Sequence, residues 1–235
     1  MGSTRFSSVL ILAMLCVGCA VGGPERGLPR ATTQEVRAAK LLDEGRVDEA
    51  QAVFFQAAQL NPRPFIASIG VARCASARGN WSMVTRALQQ AYGAAPKTPE
   101  ANDLLGRTHL EVAKVTSGGM RIQHASTAAS LFSAASRVAP DLPSLAYHTG
   151  MSELLAGRTK EAITFLTLAV REDATDDAIH ALVLAYKRVK QKRAVIALLE
   201  PMEKEGRLPP SLAKELAWAR TPSAGVRGKS PGSKR

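Results

Sequence analysis

Residues 41–62 read LLDEGRVDEAQAVFFQAAQLNP, and residues 75–96, 34 positions on, read ASARGNWSMVTRALQQAYGAAP. Gly45 and Gly79 coincide, as do Pro62 and Pro96, while Ala50, Phe54 and Ala57 become Val84, Leu88 and Ala91. This apolar set recurs at i, i+4 and i+7, one face of an α-helix. The glycine ends the preceding helix by accepting a positive φ. The proline ends the next one by disfavouring helical backbone in the residue before it. Each stretch therefore encodes the second half of a two-helix unit. Its return after a fixed period encodes a stack of such units rather than one closed core.

The register continues along the chain. Ala128, Phe132, Ala135 and Pro140 form a third unit, arriving ten residues late, with the delay around Val115 to Met120, where Ser117-Gly118-Gly119 marks a turn. Gly157, Ala162, Leu166 and Ala169 form a fourth, with Ala174 where the closing proline would stand. A fifth, looser unit keeps Leu182, Tyr186 and Leu199, but Lys190 or Gln191 occupies the turn-glycine place. Pro209-Pro210 opens a last helix, Ser211 to Arg220, whose Leu212, Leu216 and Trp218 suit a cap on the open end of the stack.

Composition agrees with an all-α chain. Apolar residues make up 46% of the 235, alanine leads them, and only 5% are aromatic, so strand-forming runs are absent and helix axes can approach closely. Cys74, among Val71, Ala72 and Ala75, reads as a small buried apolar residue without a disulfide partner.

Residues 1–18 read as an export signal: Arg5, then the nine-residue apolar run Val9–Val17, too short to span a bilayer. The run ends in Cys16-Val17-Gly18-Cys19, which resembles a bacterial lipobox with Cys16 in place of the usual Leu. That resemblance implies cleavage before Cys19, a diacylglyceryl group on its thiol and, with Ala20 following, an outer-membrane anchor facing the periplasm. Residues 19–30 read as a flexible tether and residues 221–235 as a disordered basic tail. Removing 1–18 takes away Arg5 and no acid, leaving 30 basic and 20 acidic groups, a net charge of about +10. Such a surplus suits phospholipid headgroups or an acidic protein face; an export signal and the lack of a recognisable nucleic-acid module argue against nucleic acid.

Over Ala31 to Arg220 the Gly, Pro and large-apolar positions in one register resemble the tetratricopeptide repeat (TPR), with Ala38, Ala72, Gly106 and Gly150 at its small-residue position. The resemblance implies a right-handed α-solenoid of about five helical hairpins plus a C-terminal capping helix. The first helices of the hairpins would line a concave groove. Its groove positions fall on Glu35 and Leu42, Ile69 and Arg73, Asp103 and Arg107, Tyr147, Met151 and Leu154, and His180, Leu184 and Lys187. Apolar side chains there would anchor a peptide while Arg73 and Arg107 read its carboxylates.

Motifs for chemistry are missing. His109, His124, His148 and His180 share no metal-ligand spacing and no HExxH motif, and are expected at the surface or partly packed. Gly228-Lys229-Ser230 has Ser223 where a P-loop needs its first glycine. Lys187, Arg188, Lys190, Lys192 and Arg193 place five cations in seven residues, a solvated turn or a second contact with acidic lipid or protein. The expectation is a non-enzymatic adaptor with no cofactor, no metal and no small-molecule substrate. Its layout is similar to tight-adherence (Tad) pilus-assembly and pilotin lipoproteins, which implies a secretin or pilus-assembly component as the partner. A peptidoglycan-hydrolase adaptor or general envelope scaffold is the alternative.

Overall fold

A computed structural model of the chain describes residues 28–221. Residues 1–27, with the signal and Cys19, and the tail from 222 onward lie outside the described residues. Ten helices pair into five hairpins: α1 (Thr33–Asp43) with α2 (Val47–Leu60), α3 (Phe65–Ala77) with α4 (Trp81–Ala94), α5 (Pro99–Val115) with α6 (Gly118–Val138), α7 (Leu145–Leu155) with α8 (Thr159–Glu172), and α9 (Asp176–Arg188) with α10 (Lys192–Lys204). A 3₁₀ turn at Pro210–Leu212 leads into α11 (Ala213–Arg220), which packs on α10 and closes the stack. No strand occurs among the described residues.

Local chemistry starts and stops these helices. Thr32 and Glu35 form a reciprocal capping box at the start of α1, and Asn80, Thr98 and Thr175 accept from the first-turn amides of α4, α5 and α9. The predicted turn glycines Gly45, Gly79 and Gly157 all take positive φ, between 69° and 88°. In the fifth hairpin Lys190 does so instead, at 57°, although it carries a Cβ.

Within the hairpins the alanine seam closes on a few large side chains. Phe54 and Leu88 pack with Ala38, Ala72, Cys74 and Ala75; Phe132 packs with Leu110, Ala128 and Leu145; Leu166 packs with Leu154, Ala162 and Leu182. Cys74 is fully buried, and that burial pushes its thiol up to about 11. Successive hairpins stack, α1, α3, α5, α7 and α9 lying side by side as one wall.

The ten-residue delay in the third unit is not a loop. It lengthens both helices, α5 to 17 residues and α6 to 21, where α3 and α4 have 13 and 14. The repeat register places the added residues at 112–115 and 118–124, on either side of a tight turn at Thr116-Ser117 that is one residue shorter than the turn at 78–80, so four and seven added less one gives the ten. At 1.5 Å per residue, this hairpin rises about 6–10 Å beyond its neighbours along the turn edge.

Candidate functional site: the concave wall and its C-terminal end

The odd-numbered helices carry every groove residue expected from the sequence, but the wall treats them unequally. Three are removed from any partner's reach. Glu35 is 2% exposed because its carboxylate turns back to accept from the Thr32 amide at 2.6 Å. Ile69 packs under Phe65, Ala91, Ala101 and Leu105, and Leu154 is sealed against Ala162, Leu166 and Ala185.

The two arginines are not free to read a partner's carboxylate. Arg73 Nε donates to Glu111 Oε2 at 2.9 Å, tying α3 to α5. Arg107 Nη2 lies 2.7 Å from Asp103 Oδ2 one turn back on α5. Asp103 is nearly buried, and desolvation raises its carboxyl above the usual range despite that neighbour. His148 Nδ1 sits 3.9 Å from Asp103 Oδ1, and its ring stacks on Phe132 with centroids 5.3 Å apart. Burial, then the charges of Arg107 and Lys114, push His148 down to about 3, so it is neutral at physiological pH. Asp103 Oδ1, Arg107 Nε and His148 Nδ1 are buried without a hydrogen-bond partner.

Leu42, in α1, packs against the core of the first hairpin. The other expected groove residues, all on α7 and α9, converge at the C-terminal end. Tyr147 and Met151 of α7 face His180, Leu184 and Lys187 of α9 across a cavity of about 310 Å³. The terminal segment completes it with Leu212 and Glu215, and Asp177 stands at its rim. The Lys187 ammonium pairs with the Glu215 carboxylate and lies 5.4 Å from the Trp218 ring centre. His180 Nε2 meets Ser211 Oγ at 2.6 Å. Burial, with Asp177 second, pushes the Tyr147 hydroxyl up to about 12. The result is a recess with an apolar floor, a neutral phenol and one exposed carboxylate at its edge.

The basic run at 187–193 serves mainly to fasten this end. Arg188 donates to the Leu154 carbonyl at 2.5 Å, linking α9 to α7, and Lys192 reaches the Thr221 carbonyl at 2.9 Å while lying over Trp218. Of the histidines expected at the surface or partly packed, His109 is instead buried, while its neighbour His124 is partly packed as expected. Tyr92 Oη meets His109 Nε2 at 3.1 Å, and His109 Nδ1 faces His124 Nδ1 at 2.9 Å. Burial, then His124, pushes His109 down to about 4, so one proton is shared between the facing nitrogens.

Nothing in the linear sequence pointed to the cavity's fourth side, since Leu212 and Glu215 lie in the cap, outside the repeat register. Among the described residues no cluster of His, Cys, Asp or Glu is grouped to hold a metal ion, and no helix is long and apolar enough to cross a membrane.

No protein-family model and no curated protein matches the sequence. Solved structures do match the fold. The thermophilic TPR protein TTC0263 of Thermus thermophilus is 20% identical, covering 79% of this chain and 96% of its own, with a TM-score of 0.56. MamA AMB-1 is 16% identical, covering 74% and 99%, also at 0.56. A tetratricopeptide repeat protein of Parabacteroides merdae is 13% identical, covering 80% and 68%, at 0.56. Over the described residues the chain therefore has an all-α, TPR-type solenoid fold of five hairpins and a capping helix.

Proposed function

We propose that this chain is a non-enzymatic adaptor whose concave wall holds a segment of another protein, anchored at the C-terminal recess. The observation that carries this reading is the convergence of Tyr147, Met151, Leu184 and Leu212 on one open cavity with Asp177 at its rim. An apolar side chain of an incoming peptide fills the floor, and a neighbouring cation or amide donor of the peptide meets Asp177. The central arginines are matched by their own acids, so the wall selects on shape and apolar contact more than on acidity.

The lipobox-like CVGC at 16–19 supports a lipid on Cys19 and an outer-membrane address facing the periplasm. Within that compartment the adaptor serves assembly of a pilus or secretion system, a secretin being the partner class; a hydrolase adaptor is the competing role.

The test is a photo-crosslinking side chain at Leu184, in the recess, and at Leu168, exposed on α8, each in the full chain in its own cells. A protein adduct from position 184 and none from 168 is the expected result, and its identity separates secretin from hydrolase. Adducts from 168 alone would overturn the groove. Radioactive palmitate should label the parent and not Cys19→Ser; equal labelling of both would remove the anchor.

A further inference from the structure

We infer that the raised tip of the α5–α6 hairpin is a contact site for an anionic lipid surface. Three observations meet there. The added residues lift the turn at Thr116-Ser117 above the neighbouring hairpins. The lifted part exposes apolar side chains: Val115 is 48% exposed, Met120 37% and Ile122 51%. Finally, the chain from Val112 to Pro140 contains no Asp or Glu but carries Lys114, Arg121 and Arg137.

The charge pattern decides the occupant. On the flanking turns, Arg78 is paired with Asp48 and Arg158 with Glu153. At the tip, neither Lys114 nor Arg121 has an acidic partner within salt-bridge distance among the described residues. Arg121 Nε donates to the Thr116 carbonyl at 2.7 Å, which holds the guanidinium beside the turn. Two unmatched cations flanking three exposed apolar side chains suit the headgroup boundary of a bilayer: short apolar chains enter it while the cations meet phosphates. A neutral or cationic protein face would leave Lys114 and Arg121 unmatched. Thr116 Oγ1 donates to the Val112 carbonyl at 2.8 Å, holding the last turn of α5 beside the cations.

The test uses the full chain carrying Cys16→Ser and Cys19→Ser, in which the only native thiol, Cys74, is fully buried. An environment-sensitive dye is attached at Gln123→Cys, on the tip, or at Ser136→Cys, at the opposite end of α6. With vesicles of phosphatidylcholine and phosphatidylglycerol, emission from position 123 should brighten and shift to the blue, and that from 136 should not. Met120→Asp with Ile122→Asp should abolish the change. Lys114→Glu with Arg121→Glu should weaken the apparent affinity about thirtyfold or more, taking each surface cation at its usual worth. Both pairs are at the protein surface, and unaltered thermal melting of each variant keeps the comparison valid. No response at 123, an equal response at 136, an equal response to pure phosphatidylcholine, or a response that survives the double aspartate would each overturn the inference.

Discussion

Gly106→Ala tests the packing of the third hairpin by asking for a change of sign. Ala in place of Gly inside a helix normally stabilises it by about 1 kcal/mol. Here a Cβ on Gly106 would lie 2.7, 2.9 and 3.0 Å from three carbons of the Phe132 ring. The ring cannot easily swing away, because Phe132 is fully buried and stacked on His148. Overpacking costs about 1–3 kcal/mol, and contacts at or below 3.0 Å against a buried ring put it at about 2–3, which outweighs the propensity gain and leaves a net loss of about 1–2 kcal/mol. For a unit of this length that lowers Tm by about 2–8 °C. Gly93→Ala is the control: it lies in α4 with open space around its missing Cβ, and should be neutral or stabilising. Combining Gly106→Ala with Phe132→Leu removes the ring and should cost less than the sum of the two single changes. The assay is thermal and urea unfolding followed by circular dichroism, with superposable transitions checked because stacked repeats can lose cooperativity. If Gly106→Ala raised Tm alongside Gly93→Ala, the close approach of α5 and α6, and with it the stacking geometry, would be wrong.

Lys190→Gly should stabilise the chain by about 0.5–1 kcal/mol, since the left-handed backbone at Lys190 strains a residue with a Cβ; an unfolding midpoint that falls would show that the side chain contributes more than the strain removes. Thr32→Ala should cost about 1 kcal/mol and fray α1 first, read as faster amide exchange across residues 33–37 with α5 unaffected. His148 and His109, held at about 3 and about 4, take up their protons more readily in the unfolded chain, so stability is full above about pH 6.5 and falls as the pH drops toward those values, by about 1.4 kcal/mol per pH unit per histidine. Asp103, raised by burial, opposes this nearer the acid end, so the slope is measured between pH 6.5 and 5, where His124, also lowered by burial, adds to it; His148→Phe should reduce the slope by about a third or more, and an unchanged slope would place the proton uptake elsewhere.

Sequence predicted the repeat frame because its turn glycines and closing prolines are backbone requirements that burial does not override: Gly45 stands just before α2, and Pro62 follows just after its end at Leu60. The lengthened third hairpin was harder to see. Ser117-Gly118-Gly119 reads as an inserted turn, yet Gly118 begins a helix. Added lengths of four and seven residues are close to one and two whole turns, so Ala128 and Phe132 return to the seam and nothing in the periodicity betrays the extra height. In the groove, Glu35 carried a visible warning, the T-x-x-E spacing from Thr32 that marks a capping box. Ile69 and Leu154 carried none, since an apolar residue on a concave face and one on a seam look alike in sequence. The pairings of Lys187 with Glu215 and His109 with His124 join residues 28 and 15 apart, spacings set only by how the cap folds back and how far the hairpin is raised.

These pairings also explain where the chain's net charge of +11 can act. Arg73, Arg107 and Lys187, the cations that the repeat register sends to the groove, are each met by an acid of the chain itself: Glu111, Asp103 and Glu215. An acidic partner entering the groove would have to displace a carboxylate already held at hydrogen-bond distance, so it gains little over a neutral one. Lys114 and Arg121, at the raised turn of the third hairpin, have no such partner among the described residues. The wall and the edge therefore differ in kind: the groove discriminates by apolar fit at its C-terminal recess, and the edge responds to an anionic surface. Raising the ionic strength should separate the two, because unpaired surface charges are screened over about 10 Å at 0.1 M salt while an apolar contact is not weakened. Vesicle binding through the tip should fall steeply between about 0.05 and 0.5 M salt, whereas crosslinking at Leu184 should persist; loss of both together would mean that one electrostatic surface performs both tasks.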